Sequence, residues 1–467
     1  MPHARLVTTM LVFLFGSGLG AAPLQAQPLT SSQLQGWIEA MHSEARQLED
    51  IAAIARLQRA YGYYIDKGYW NEAADLFAAD ATLEIGVDGV YRGQDRIRRM
   101  LIRYGEGSPD TGPGLPFGQM VRHMQLQPVI TLDPDGLHAK ARWRDFALLG
   151  RYQESAHWGD GIMENSYVKA DGVWKLQALR LFTNFVAPYE GGWARLEAAP
   201  QDWRSAAARE IPPDAPPTLD YRPFPEAFAP PFHYPLQPPM RQRWSERITN
   251  VTWPAELQPL RESVEGYAAE LDRLWAERAI ENLQARYGYY IDKGLWDEAA
   301  SLFSREATYE FGQGGVYVGN ERIHQALELM GPPGLDTGQL NNYPMLQPII
   351  TVAPDALSAS ARWRSDVQLS RDGQGTWGGG VYENTYVNEN GEWKLSKLHY
   401  YVTFWANYDK GWVDGTFPMP RPSTALPPDL PPTEVYGSQP EVYLFPFSYP
   451  HLVTKGPHRG TGGDNAQ

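Results

Sequence analysis

Between residues 48 and 67 the apolar side chains fall at Ile51, Ile54, Ala55, Leu57, Tyr61, Tyr64 and Ile65, a spacing that lines one face of an α-helix. Gly68 ends that helix, because glycine takes the left-handed conformation that often follows a helix terminus. The pattern then predicts a short second helix over 70–77, a strand over 81–85, a turn and short strand over 89–93, and a third helix over 94–103. After a Gly/Pro-rich loop at 105–118, strand-like runs follow over 121–132, 137–149 and 159–169. Asp171-Gly172 is a hairpin signal into a fourth strand, 173–186. Helices first and an antiparallel sheet afterwards describe an α+β domain.

The whole order then returns. Tyr61-Gly62-Tyr63-Tyr64-Ile65-Asp66-Lys67-Gly68 recurs letter for letter at Tyr287 to Gly294, and more than half of the positions in 54–93 are identical in 280–319. Leu126-Gln127-Pro128 matches Leu346-Gln347-Pro348, and Ala141-Arg142-Trp143-Arg144 matches Ala361-Arg362-Trp363-Arg364. Glu164-Asn165 with Tyr167 matches Glu383-Asn384 with Tyr386. The period is far longer than the roughly 20–50 residues of a solenoid repeat, so this is a duplicated domain. A chain of 467 residues has room for both copies, each with its own core. The boundaries read as a leader at 1–26, domain one at 27–200, a Pro-rich arm at 201–250, domain two at 251–415, and a second arm with a polar tail at 416–467. Each arm repeats Pro-Pro-Asp, Pro-Pro-Thr and a Tyr, then ends on an aromatic run, Phe232-His233-Tyr234-Pro235 in the first. Arms packed on the body of a domain explain those aromatics, and a solvated spacer is the plainer alternative.

Composition narrows the function. The formal charge is −14 and no basic run occurs, which excludes a nucleic-acid footprint. His3 and Arg5 precede an apolar run over 6–22 that is too short and too rich in Gly and Ser for a membrane span, and Ala26 suits a signal-peptidase cut. The expectation is an exported, periplasmic or secreted protein, and the absence of cysteine means that export brings no disulfides. No zinc pair, phosphate loop, nucleotide fingerprint or nucleophile elbow is present, so the expected chemistry is acid–base work without cofactor or metal.

Taken in order, Tyr61-x4-Asp66-x3-Trp70, Leu76-Phe77, Ala81-Thr82-Leu83-Glu84 and Tyr91-x-Gly93 before a helix, closed by Gly172-Val173-Trp174-Lys175-Leu176, resemble the SnoaL-like branch of the nuclear transport factor 2-like superfamily. The resemblance covers roughly 45–190 and 270–410 and leaves out the arms. It implies two tandem cone-shaped α+β barrels, in each of which a curved antiparallel sheet wraps a long helix around a mostly apolar pocket. Ketosteroid isomerase, scytalone dehydratase, bile-acid dehydratase, polyketide cyclases and non-enzymatic binders share that branch, so fold alone does not select a chemistry.

Several residues are candidates for a site. Tyr61 and Tyr287 sit on the buried helix face and need a hydroxyl partner; the resemblance implies a catalytic tyrosine, and a core tyrosine bonded to backbone is the alternative. Asp66 and Asp292 lie at the helix end, where the dipole disfavours a carboxylate. The resemblance implies an active-site acid there, whereas capping or an ion pair with Lys67 or an arginine is the bland reading. For Glu164 and Glu383 it implies the protonated acid of an oxyanion hole, against a salt bridge to Arg142, Arg144 or their counterparts. His123 aligns with Tyr343; the resemblance implies a catalytic histidine, pairing with Asp66 in repeat one only. Glu84 and Glu310 should turn outward, toward a seam where the repeats pack back to back. Trp143, Trp158, Trp363 and Trp377 are either core or the walls of a pocket for a flat ligand.

The combined expectation is a cofactor-independent lyase or isomerase, dehydratase-like, acting on a small hydrophobic, aromatic, hydroxylated or carbonyl compound. The rival is a non-catalytic binding protein. Both picture an intramolecular pseudo-dimer and leave further homo-oligomers open.

Overall fold

The computed structural model describes residues 28–105, 114–236, 240–441 and 443–449. The apolar leader, the middle of the 105–118 loop and the polar tail lie outside the described residues.

Repeat one runs α1 (Ser31–Asp66), α2 (Trp70–Asp75), β1 (Phe77–Ile85), β2 (Val90–Arg92), α3 (Gln94–Tyr104), β3 (Gln119–Leu132), β4 (His138–Arg151), β5 (Ser155–Ala170) and β6 (Val173–Pro188). The first arm carries α4 (Ala206–Glu210) and α5 (Trp244–Thr249). Repeat two follows with α6 (Gln258–Asp292), α7 (Trp296–Ser301), β7 (Phe303–Phe311), β8 (Val316–Val318), α8 (Asn320–Glu328), β9 (Leu340–Asn342), β10 (Leu346–Val352), β11 (Ser358–Arg371), β12 (Gln374–Glu389), β13 (Glu392–Asn407) and α9 (Gly411–Asp414).

Helix α1 starts well before the periodic stretch. Thr30 and Gln33 form a capping box: the Gln33 N–H donates to Thr30 Oγ1 at 3.2 Å and the Thr30 N–H to Gln33 Oε1 at 2.9 Å. The added turns are held by packing, since Leu34 and Met41 join Val264, Ala268 and Leu271 of α6 in a core of their own.

Each copy is α+β, but its sheet is open and mixed rather than a closed antiparallel barrel. The order in repeat one is β2-β1-β6-β5-β4-β3, and the outer side of β2 is bridged to the arm through Val90 and Ala215. Strand β1 runs parallel to β6, while the other neighbours are antiparallel. Repeat two has the same order, with β9 added beside β11. The concave face holds the helix. At Gly62 a Cβ would stand 2.9 Å from the His123 carbonyl oxygen, so only glycine lets α1 approach β3 this closely.

The repeats do not meet back to back. The convex face of the first sheet lies across α6, so α6 is enclosed between two sheets while the matching side of α1 faces solvent. Tyr289 is 1 % exposed and its equivalent Tyr63 is 73 % exposed. A bulge in β3 puts Gln127 at positive φ. There the Gln127 amide donates to the Ala285 carbonyl at 2.9 Å, and its own carbonyl accepts from the Tyr289 hydroxyl at 2.7 Å. Arg144 is fully buried at the joint, paired with Asp160 of its own sheet at 3.1 Å and with Asp292 and Asn342 of repeat two. Glu84 and Glu310 lie away from that joint and hold the arms: Glu84 accepts from the Thr218 N–H at 2.7 Å, and Glu310 from the Thr433 N–H at 2.8 Å.

The counterpart of Arg144 in repeat two, Arg364, is exposed. Arg144→Ala should therefore cost about 3–5 kcal/mol, because it strands Asp160 and Asp292 uncompensated in the interior. Arg364→Ala should stay within about 0.5 kcal/mol of the parent. Denaturant unfolding of the two variants measures the difference.

Candidate active site

Three residues of α1 face the concave sheet of repeat one: Gln58, Tyr61 and, at the helix end, Asp66. Asp66 does not cap the following turn. Its Oδ1 accepts the backbone N–H of His123 at 2.5 Å, which ties the end of α1 to β3. The imidazole of His123 has a different partner: its Nδ1 lies 2.7 Å from Asp145 Oδ2. The other oxygen of Asp145 accepts from the Gln125 amide at 2.7 Å, and Gln125 Oε1 accepts from Gln58 at 2.7 Å. Gln58 Oε1 in turn takes the Tyr167 hydroxyl at 2.8 Å and the Asn165 amide at 3.0 Å, and the Trp143 indole donates to the Tyr167 hydroxyl at 3.1 Å. One chain of hydrogen bonds thus runs from the floor of the core to a histidine whose side chain is 22 % exposed, through a carboxylate that is 4 % exposed.

The order is set by strand parity. His123 and Gln125 on β3, Trp143 and Asp145 on β4, and Asn165 and Tyr167 on β5 all point to the helix side. Arg142, Arg144 and Glu164 point the other way.

The charges follow from this arrangement. Burial by itself would push the His123 imidazole down. The adjoining Asp145 carboxylate, through charge and hydrogen bond, and the nearby Asp66 outweigh burial and hold the ring above its ordinary value of 6.5. Burial, with the Asp145 charge behind it, raises the Tyr61 hydroxyl well out of the physiological range, so it stays a neutral donor. Tyr61 is packed among Phe77, Leu83 and Met163, which gives the surroundings an apolar lining. With Asp145 fixing Nδ1, the neutral ring carries its lone pair on Nε2.

Repeat two keeps the scaffold and loses the pair. The Asp292 carboxylate accepts the Tyr343 N–H at 2.7 Å, and Gln284, Asn384, Tyr386 and Trp363 repeat the lower network. Tyr343, Met345 and Ser365 stand where repeat one has His123, Gln125 and Asp145. Tyr287 packs with Tyr382, Tyr400, Tyr309 and Tyr343 in a buried cluster, and burial raises the hydroxyl of each. Burial also raises Asp292, against the opposing charge of Arg144.

The other candidates lie elsewhere. Glu164 is on the far face of β5, bound to Arg142 and, at 2.8 Å, to His233 of the arm. Glu383 pairs likewise with Arg362. Trp143 and Trp363 are core. Trp158 and Trp377 meet across the joint with ring centroids 5.2 Å apart, and the Trp158 indole donates to the Tyr408 hydroxyl at 2.6 Å. Asp145, Gln125 and Gln58 went unnoticed in the sequence. A signal existed: directly after the shared Ala-Arg-Trp-Arg, Asp145 becomes Ser365, a change that accompanies His123 to Tyr343. Among the described residues no cluster of three or more His, Asp or Glu is placed to hold a metal ion, and no helix is long and apolar enough to cross a membrane.

Because folding raises His123, the protonated ring contributes stability that is fully present below its ordinary 6.5 and lost as pH rises through the folded value. Asp145→Asn leaves burial dominant and should lower the imidazole midpoint, which NMR titration of the ring reads directly. The same variant should destabilise the fold more at about pH 5.5 than at about pH 8.5.

Comparison with solved structures finds likeness at the level of one repeat. A provisionally named scytalone dehydratase from Novosphingobium aromaticivorans is 23% identical, covering 34% of this chain and 97% of its own, with a TM-score of 0.27. An NTF2-like protein with a cystatin-like fold from the same organism is 16% identical, covering 39% and 97%, with a TM-score of 0.25. A hexachlorocyclohexane dehydrochlorinase, LinA type 2, is 21% identical, covering 30% and 92%, with a TM-score of 0.27. Among curated proteins there is no match. The SnoaL-like domain profile matches twice, over residues 46–180 and 272–399. These two matches take in more than half of the chain, which therefore belongs to the SnoaL-like domain family and carries that domain in tandem.

Proposed function

We propose that repeat one is a lyase or isomerase site working by acid–base chemistry on a small apolar compound that bears a hydroxyl, carbonyl or comparable leaving group, and that repeat two serves as its structural support. The observation that carries this reading is the His123–Asp145 pair at 2.7 Å, present in one copy and replaced by Tyr343 and Ser365 in the other.

In the elimination form, His123 Nε2 takes a proton from carbon. The C–H electron pair becomes the new double bond, and the bond to the leaving oxygen breaks. The imidazolium, held by Asp145, returns its proton to that oxygen, which departs as water. Tyr61 remains neutral and donates a hydrogen bond to the oxygen on which charge develops. Asp66 acts as a positioning residue through the backbone of His123. In the isomerase form the proton returns to a different carbon of the same substrate. Every group required is a side chain of this repeat.

Turnover by the protein should be sought on a panel of apolar hydroxy, carbonyl and halogenated compounds without added cofactor. Removal of a general base typically costs about 10²–10⁴ in rate. His123→Ala should lose that much, whereas Tyr343→Phe should leave kcat unchanged. Activity that survives His123→Ala and dies in Tyr343→Phe would transfer the chemistry to repeat two and sink the proposal.

A further inference from the structure

A cavity of about 470 Å³ lies away from the dyad. It opens where the two repeats and the first arm meet, between α1, β3, α6 and the β12–β13 turn. Its walls combine charged side chains with an apolar surface to which Ile130, Leu132, Trp275, Leu283 and Trp393 contribute. The volume lies within the range of about 300–1,000 Å³ typical of small-molecule sites, and so does the character of its lining.

Its charged groups are almost all neutralised within the protein. Arg241 pairs with Asp272 at 3.0 Å and Glu44 at 2.5 Å, and Arg278 with Glu281. Arg243 lies 4.0 Å from Glu246 and donates to the Asp355 carbonyl at 2.5 Å. Glu392 is held by Lys394 at 2.6 Å. Arg286 is the exception. The residue is 6 % exposed, lines the cavity, and has its Nε buried with no hydrogen-bond partner among the described residues. The face of Tyr234 lies 4.5 Å from its guanidinium carbon, which supplies a cation–π contact and no counter-charge. A guanidinium does not deprotonate in proteins, so this is a buried cation with no carboxylate at salt-bridge distance among the described residues; the charge of Glu392, on the wall of the same cavity, acts on it only from further off. The cation is also private to the joint, because repeat one has Ala60 at the matching position.

We propose that this cavity is a second binding site, separate from the dyad, for a carboxylate with an apolar body. The carboxylate is seated on Arg286 and the body lies between Trp275 and Trp393. A carboxylate matches the planar fork of the guanidinium, and the apolar walls accept a ring system or a chain of moderate length. The site exists only when both repeats and the arm are assembled, and it does not depend on the chemistry of repeat one.

The test uses the full chain with naphthoate and decanoate as probes, each compared with its primary amide, by calorimetry and tryptophan fluorescence. The carboxylates should bind at least about tenfold more tightly than the amides. Arg286→Met should abolish that preference and raise the Tm of the ligand-free protein, since it removes an unpaired buried cation. A purely structural arginine would lower the Tm instead. Ala279→Trp, which fills the cavity and keeps Arg286, should abolish binding of both probe types, and His123→Ala should leave binding intact. Equal affinity for acid and amide, a preference retained in Arg286→Met, a lowered Tm in that variant, binding that survives Ala279→Trp, or binding lost in His123→Ala would each overturn the proposal.

Discussion

The buried guanidinium of Arg144 is the constraint on which the two-repeat arrangement turns. A charge removed from water must be compensated at once, and here compensation comes from both copies: Asp160 from its own sheet, Asp292 and Asn342 from the other repeat. The convex face of the first sheet is therefore incomplete without α6, and Asp292 is incomplete without the first sheet. Neither copy could be removed without leaving an ion unpaired in the interior of what remains.

That dependence explains how identical sequences came to make different contacts. The octapeptide from Tyr61 and its copy from Tyr287 fold into the same helix end, yet their surroundings differ. Tyr63 and Lys67 face water, while Tyr289 is sealed under the first sheet and Lys293 donates to Asn184 at 3.0 Å, its pKa lowered by burial to about 8. Among the described residues Asp66 holds the β3 backbone, whereas Asp292 must also neutralise an arginine. A carboxylate committed to a joint is poorly placed to assist a proton transfer. The repeat whose aspartate is engaged that way is also the one whose interior has filled with tyrosine rings.

The sequence made the fold readable because the helical and alternating periods are both strong, and the duplication let each copy check the other. It did not reveal the openness of the sheets or the parallel β1–β6 pair, because pairing direction depends on how the chain returns and not on local pattern. The candidate site was half legible. Tyr61, Asp66 and His123 stood out by type and position and do lie along one helix–strand contact. Asp145 escaped because a lone aspartate after Ala-Arg-Trp-Arg looks like any strand polar residue; only the paired change to Ser365 and Tyr343 marks it. Glu164 was conspicuous by recurring, yet what both copies keep at that position is an anchor for the arm. Recurrence between repeats reports shared architecture, and the His123–Asp145 pair, confined to one copy, shows as a coordinated difference.

Strand β4 brings these threads together. Its odd positions, Trp143 and Asp145, face the helix and end the polar chain that reaches His123; its even positions, Arg142 and Arg144, face outward and hold the arm and the second repeat. The two sets are separated only by the thickness of one strand. Because the side-chain period is two, a register slip of one residue would exchange Asp145, the partner of His123, for the assembly cation. The close helix approach at Gly62 and the bulge at Gln127 both act on β3, the strand that fixes the pairing of β4. The features that join the repeats are thus the same ones that hold His123 opposite Asp145.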